Sequence, residues 1–436
     1  MSFFSRRSSA DDADSREADG SEQSCVLVDE ETAARVMASL AGAPRVHQAY
    51  GWFRAHEREI AEFQFDITSI AAPPFGEQAR SAWLAQRLLN LGYAVERDAM
   101  GNVYATSDVH DADTSDGAQA PVIALSAHLD TVFSPDTKLN IRREQHRLAG
   151  PGISDNGAGL AGLWAIAAAL KACELDTELP ILLIANVGEE GDGDLRGMRA
   201  VFNESRWRKR IASLLVLDGS GVETIVTEAL GSRRFAVRVT GPGGHSWSDY
   251  GTPNPIVALG RAISVLSHLA LPDSPRTTLN IGTIEGGTSI NAIPEEAVMR
   301  VDIRSAASEK IDEVEAALRL AVAEAVRDTA VNGTHLQFTI EQVGERPGGW
   351  LQKEAPLLLA VNAADARLGI QSRTERASTD ANIPLSLGVD ALAIGAGGSG
   401  GGAHTLHEWY DPSGRDLALR RVLLVLLALA HLKSRA

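Results

Sequence analysis

The stretch PVIALSAHLDTV, residues 121–132, decides how this chain is read. Its first half is nearly all apolar, as expected of a strand covered on both faces. It then stops at His128 and Asp130. On an extended segment residues i and i+2 share a face, so these two polar side chains leave the strand end together. The same pattern returns downstream. ILLIANV (181–187) runs into Glu189 and Glu190, and LLVLD (214–218) ends on Asp218. Open α/β sheets build their sites outside the carboxyl ends of such strands.

Working outward, residues 30–91 read as mostly helical. EQARSAWLAQRLLNLG (77–92) spaces its apolar residues for one buried face and stops at Gly92. YAVER (93–97) and NVYATS (102–107) read as strands, and GLAGLWAIAAALKAC (159–173) as a buried helix. Strands alternating with helices predict a doubly wound α/β sheet.

The rhythm changes after Glu228. RRFAVRVTG (233–241) is strand-like, NPIVALGRAISVLSHLA (254–270) helical, TTLNIGTIEGG (277–287) and AVMRVDIRS (297–305) strand-like. EKIDEVEAALRLAVAEAVRD (309–328) is helical and LQFTIEQV (336–343) strand-like. The order β-α-β-β-α-β predicts a ferredoxin-like α+β unit. Candidate ligands lie on both sides of it, so the unit is an insertion. The expected division is a disordered tail at 1–25, a catalytic domain at 26–229 and 344–436, and an inserted domain at 230–343. No internal repeat is visible at solenoid spacing.

Composition narrows the function classes. The 436 residues carry 44% hydrophobic content and a net charge of −16. That charge, with no basic stretch, argues against nucleic acid and for a soluble cytoplasmic protein. The two cysteines, Cys25 and Cys173, form no CxxC pair, so any metal must use histidine and carboxylate. The apolar run at 422–430 is too short to span a bilayer and reads as a final helix on the sheet.

Asp155 lies in GPGISDNGAG (150–159), a loop of small residues that permit close backbone approach. An Asp there could also cap the following helix. The loop matches neither dinucleotide nor P-loop spacing. Glu189 and Glu190 would repel one another in a dry site unless a cation compensates. His404 follows the glycine run GAGGSGGGA (395–403), and His407 competes with it as a ligand. Two histidines and three carboxylates suit zinc, with cobalt or manganese as substitutes. Glu189 is then the carboxylate base for an activated water.

Together HLD, SDNGAG, GEEGDGD, GPGGHS, SINAIP and GGGAHT resemble the two-zinc exopeptidase and deacylase family. That family includes glutamate carboxypeptidase, tripeptide aminopeptidase (peptidase T), acetylornithine deacetylase and succinyl-diaminopimelate desuccinylase. The resemblance runs from about Ile67 to the C-terminus. It implies one zinc on His128, Asp155 and Asp218, and another on Asp155, Glu190 and His404. Glu189 becomes the general base and Asp130 the support of His128. The insertion becomes a dimerisation lid, with His245 reaching the other subunit's site. Asn291, Arg304 and Arg346 become substrate-binding. Asp218, where other members hold Glu, leans toward tripeptidase-type peptidases. The STDANIP segment (378–384) resembles a substrate-side loop.

The expected activity is therefore hydrolysis of an amide bond in short peptides by a homodimer. Deacylation of N-acyl amino acids is the alternative on the same site. Neither a nucleic-acid nor a membrane partner is expected.

Overall fold

A computed structural model describes residues 28–107, 120–331 and 333–434. The expected tail, with Cys25, lies outside the described residues.

The described residues open with four helices: Glu30–Ala41, Pro44–Ala55, Glu57–Thr68 and Gln78–Asn90. The first starts where Asp29 accepts a bond from the Thr32 N–H at 2.8 Å, satisfying a donor that the helix itself leaves unpaired.

The principal sheet has nine strands. Its path runs Ala94–Arg97, Val103–Thr106, Ile181–Asn186, Val122–His128, Ile211–Leu217, Asp390–Ile394, Thr224–Ala229 and Gly349–Trp350. Arg373–Ala377 pairs with Thr224–Ala229 off that path. The four strands from Ile181–Asn186 to Asp390–Ile394 are mutually parallel, so their carboxyl ends share one edge. Every residue of Val122–His128 and Ile181–Asn186 is buried, which is why both read as continuous apolar runs. The helix Gly157–Ala172 is apolar all round and buried throughout from Gly157 to Leu170. The final helix, Arg415–Lys433, packs on Val122–His128 and on Pro356–Leu368. Among the described residues no helix is long and apolar enough to cross a membrane.

A second sheet carries Thr277–Gly286, Glu296–Ser305, Gly231–Thr240 and Gln337–Arg346, in that order and antiparallel throughout. Numbered along the chain this is 2-3-1-4, the ferredoxin-like order. Helices Pro255–Leu266 and Ser308–Asp328 pack on it and on each other. Phe235, Val237 and Val239 alternate into a separate core with Met299, Val301 and Ile303, the period-2 pattern of a half-covered strand.

The strands Thr224–Ala229, Gly349–Trp350 and Arg373–Ala377 have no counterpart in the sequence analysis, and neither does a further small sheet. Ser399–Gly401, Trp409–Asp411, Arg147–Ala149 and Arg142–Glu144 form a small four-stranded sheet. Strands of three residues are too short to show periodicity. This sheet holds the segment bearing His404 against the loop bearing Asp155.

Candidate metal centre

Each expected ligand sits at the carboxyl edge of the parallel strands or on a loop beside it. His128 ends its own strand, Glu189 and Glu190 follow Ile181–Asn186, and Asp218 follows Ile211–Leu217. Asp155 lies two residues before the helix Gly157–Ala172. Asn156, not Asp155, caps that helix by accepting from the Gly159 N–H at 3.1 Å. Its amide also donates to the Leu217 carbonyl at 2.9 Å, tying the Asp155 loop to the strand that delivers Asp218.

The structure brings His128, Asp155, Glu190, Asp218 and His404 together. His128, Asp155 and Asp218 place ligand atoms within 4.8 Å of one another, as do Asp155, Glu190 and His404. Asp155 divides its two oxygens. Oδ1 lies 3.1 Å from His128 Nε2, and Oδ2 lies 3.0 Å from His404 Nε2. His404 Nε2 is also 3.1 Å from Glu190 Oε1. His404 itself has φ +65, a left-handed conformation that a non-glycine residue holds only under constraint. Of the two candidate histidines it is His404 that enters the cluster.

Asp130 does more than the sequence reading assigned to it. The acceptor nearest His128 Nδ1 is the Asp130 backbone carbonyl at 3.1 Å, with the carboxylate at 3.7 Å. The fully buried carboxylate instead accepts from the Glu189 N–H at 3.0 Å and the Glu190 N–H at 2.8 Å. Gly188, at φ +66, makes this turn possible, because a Cβ there would stand 1.8 Å from an Arg196 nitrogen.

The remaining expected residues behave differently. His245, Asn291 and Arg304 lie on the second unit and make local bonds that do not reach the cluster. The His245 N–H donates to Asp249 at 2.6 Å, Asn291 accepts from Ser289 at 2.5 Å, and Arg304 Nε donates to Asp302 at 2.6 Å. Arg346, expected on the substrate, is buried against Glu189. Its Nη1 donates to Glu189 Oε1 at 2.9 Å, and its Nη2 donates to the Glu189 carbonyl.

The chain matches two family models: the peptidase dimerisation domain over residues 227–330 and peptidase family M28 over residues 109–238. A probable carboxypeptidase of Neosartorya fischeri is 31% identical over 317 residues, covering 65% of this chain and 69% of that protein. The chain belongs to the M20/M28 metallopeptidase family. A probable carboxypeptidase of Aspergillus clavatus is also 31% identical, over 62% of this chain and 63% of that protein. In fold the metallopeptidase is similar to the aminopeptidase PepT of Bacillus cereus, with TM-score 0.66, 20% identity, and coverage of 85% and 98%. It is likewise similar to the di-peptidase Dug1p of Saccharomyces cerevisiae, with TM-score 0.72, 12% identity, and coverage of 88% and 98%. The family's members are hydrolases that typically hold zinc.

The donor set of this metallopeptidase fits a metal. Burial opposes charge on His128, yet its contacts with Asp130, Asp155 and Asp218 lift its pKa well above the ordinary histidine value. Bonds to Asp155 and Glu190 push His404 up to about 10. Both imidazoles are drawn to protonate because the surrounding oxygens demand positive charge, and a divalent cation answers the same demand. Desolvation raises Glu189 well above the usual carboxylate range, with Arg346 pulling the other way.

Two of the buried acids absent from the sequence analysis, Asp380 and Glu408, bond to the strand and loop that carry the ligands. Asp380, within STDANIP, accepts from the Asn186 amide at 2.7 Å, and burial pushes it up to about 7. Glu408 accepts three backbone N–H bonds from the Asp155 loop. A polar residue inside a loop gives no periodic signal. Only the position of Glu408 four residues after His404 could have drawn notice.

Proposed function

We propose that this peptidase-family hydrolase is a two-zinc exopeptidase acting on short peptides, with Glu189 as general base. The observation that carries this reading is the division of Asp155, whose two oxygens face two different histidines. A carboxylate so placed can bridge two ions. One would be held by His128, Asp155 and Asp218, the other by Asp155, Glu190 and His404. Bound zinc supplies Lewis acidity, making water more acidic and polarising an amide carbonyl. Glu189 lies beside Glu190 and places a carboxylate oxygen within 4.8 Å of a His128 ring nitrogen. It takes the water proton and returns it to the leaving amine, a transfer that typically contributes about 10²- to 10⁴-fold. Arg346 holds the Glu189 carboxylate in place.

The match to a peptidase dimerisation domain supports a homodimer through the second unit. Exposed Trp247, Tyr250 and Ile290 on that unit are consistent with a surface that a second copy covers. Among the described residues His245 bonds only to its near neighbours in the chain, Trp247, Ser248 and Asp249. The family resemblance assigns it to the partner's site, where it would donate to the oxygen on which negative charge develops. Asn291 and Arg304 hold substrate from the same unit, Arg304 through a carboxylate.

The names of the relatives favour a carboxypeptidase. A panel of free-ended, N-acetylated and C-amidated di- and tripeptides, analysed by mass spectrometry, tests this. Loss of cleavage on C-amidation alone is the expected result. Loss on N-acetylation alone means an aminopeptidase, and release of the acyl group means a deacylase. Glu189→Gln should retain fold and metal and lose most turnover. Near wild-type activity in that variant would exclude Glu189 as the base.

A further inference from the structure

Glu408 is fully buried, and among the described residues no cationic side chain pairs with it. A buried carboxylate without a counterion persists only where hydrogen bonds replace its hydration. Here three backbone donors do so. The Gly152 N–H reaches Oε2 at 2.8 Å, while the N–H groups of Ser154 and Asp155 reach Oε1 at 2.7 and 2.8 Å. The Glu408 carbonyl accepts from the Gly150 N–H at 2.8 Å, so both ends of this residue grip one loop.

The gripped loop carries Asp155, and the gripping segment carries His404. These are the two side chains that meet at 3.0 Å. The segment is closed at both ends by the paired strands Ser399–Gly401 and Trp409–Asp411, and Trp409 pairs with Ala149. We propose that Glu408 is a positioning residue for the metal centre, fixing the backbone of residues 152–155 so that Asp155 presents one oxygen to each histidine. This rests on the two-metal reading above. Groups that orient metal ligands typically govern about 10- to 100-fold in affinity. Glu408 differs from the usual case in acting through the ligand's backbone rather than through its side chain.

The test uses the full chain, cobalt as the probe, and three variants. Glu408→Gln keeps the shape but turns an N–H toward backbone donors. Glu408→Asp keeps the charge on a shorter stem. Asp365→Asn is the structural control: a buried acid bonded to Arg421 and Ser372, apart from the cluster. Cobalt affinity is measured by chelator competition, the visible cobalt band by absorption, and metal-free stability by thermal melting. Glu408→Gln should bind cobalt about 10- to 100-fold more weakly with an altered band. Glu408→Asp should recover part of the affinity, and Asp365→Asn should lower the melting temperature without changing the band.

A wild-type band and affinity in Glu408→Gln would overturn the proposal. Should that variant not fold, the same result in Glu408→Asp would overturn it. So would equal loss of cobalt by Asp365→Asn at equal loss of stability. A wild-type chain that binds no cobalt would overturn the metal reading itself, and this inference with it.

Discussion

Arg346 Nη1 lies 2.9 Å from Glu189 Oε1, and each side chain is only 7% exposed. Arg346 ends the strand Gln337–Arg346 of the second sheet, whereas Glu189 follows Ile181–Asn186 of the first. One buried ion pair therefore joins the two sheets at the site. Nearby bonds reinforce the junction. Arg234 Nη1 donates to the Gly191 carbonyl at 2.6 Å, and the Glu345 N–H donates to Asp194 at 3.0 Å. The loop carrying Glu189 and Glu190 is thus held by both sheets.

Replacing Arg346 by Met should move the acid limb of the kcat/KM profile to higher pH. Burial already raises Glu189, and Arg346 is the leading group that lowers it. Without the guanidinium the raised pKa rises further. A base acts only when deprotonated, so activity on the acid side falls first. A pH–rate profile superimposable on wild type would show that Arg346 does not set the Glu189 charge.

Asp130→Ala should cost more than a lost histidine contact. It leaves the buried N–H groups of Glu189 and Glu190 unpaired, at about 1–3 kcal/mol for each unsatisfied donor. The loop should loosen, and metal affinity should fall by about 10- to 100-fold. Zinc titration calorimetry and thermal melting measure the two effects separately. Unchanged affinity would confine Asp130 to a fold role.

Chelation should abolish activity and lower the melting temperature. A ligand present at 100 times its dissociation constant stabilises the folded state by about 2.7 kcal/mol. Metal-free melting at the wild-type temperature would mean that no metal binds the folded chain. Readdition of zinc should restore both properties.

Leu215→Ala tests the core independently of chemistry. Leu215 is fully buried in the central parallel strand Ile211–Leu217. Truncation there should cost about 2–5 kcal/mol, read by denaturant unfolding. A loss below about 1 kcal/mol would mean that the neighbouring side chains collapse into the space.

The ligands that end apolar strands were the most legible part of the site. His128 and Asp218 each close a run whose every neighbour is buried, so a polar residue there stands out. Glu189 and Glu190 stand out for a different reason, as two adjacent charges directly behind a core strand. The Arg346–Glu189 pair is not legible in the sequence, because the partners lie 157 positions apart and no local pattern encodes that pairing. The small sheet around His404 was missed because three-residue strands carry no period.

The sequence by itself determined the doubly wound α/β class, the inserted β-α-β-β-α-β unit and the residue types that gather at the carboxyl edge. Hydrophobic periodicity and glycine placement are local properties, and local physics suffices to read them. Only the tertiary structure decided who holds whom. It turned Arg346 toward Glu189, gave the Asp130 carboxylate to two backbone N–H groups, and set Glu408 beneath Asp155. Those bonds join residues far apart in the chain. A buried polar group takes whichever partner the packed fold brings within reach.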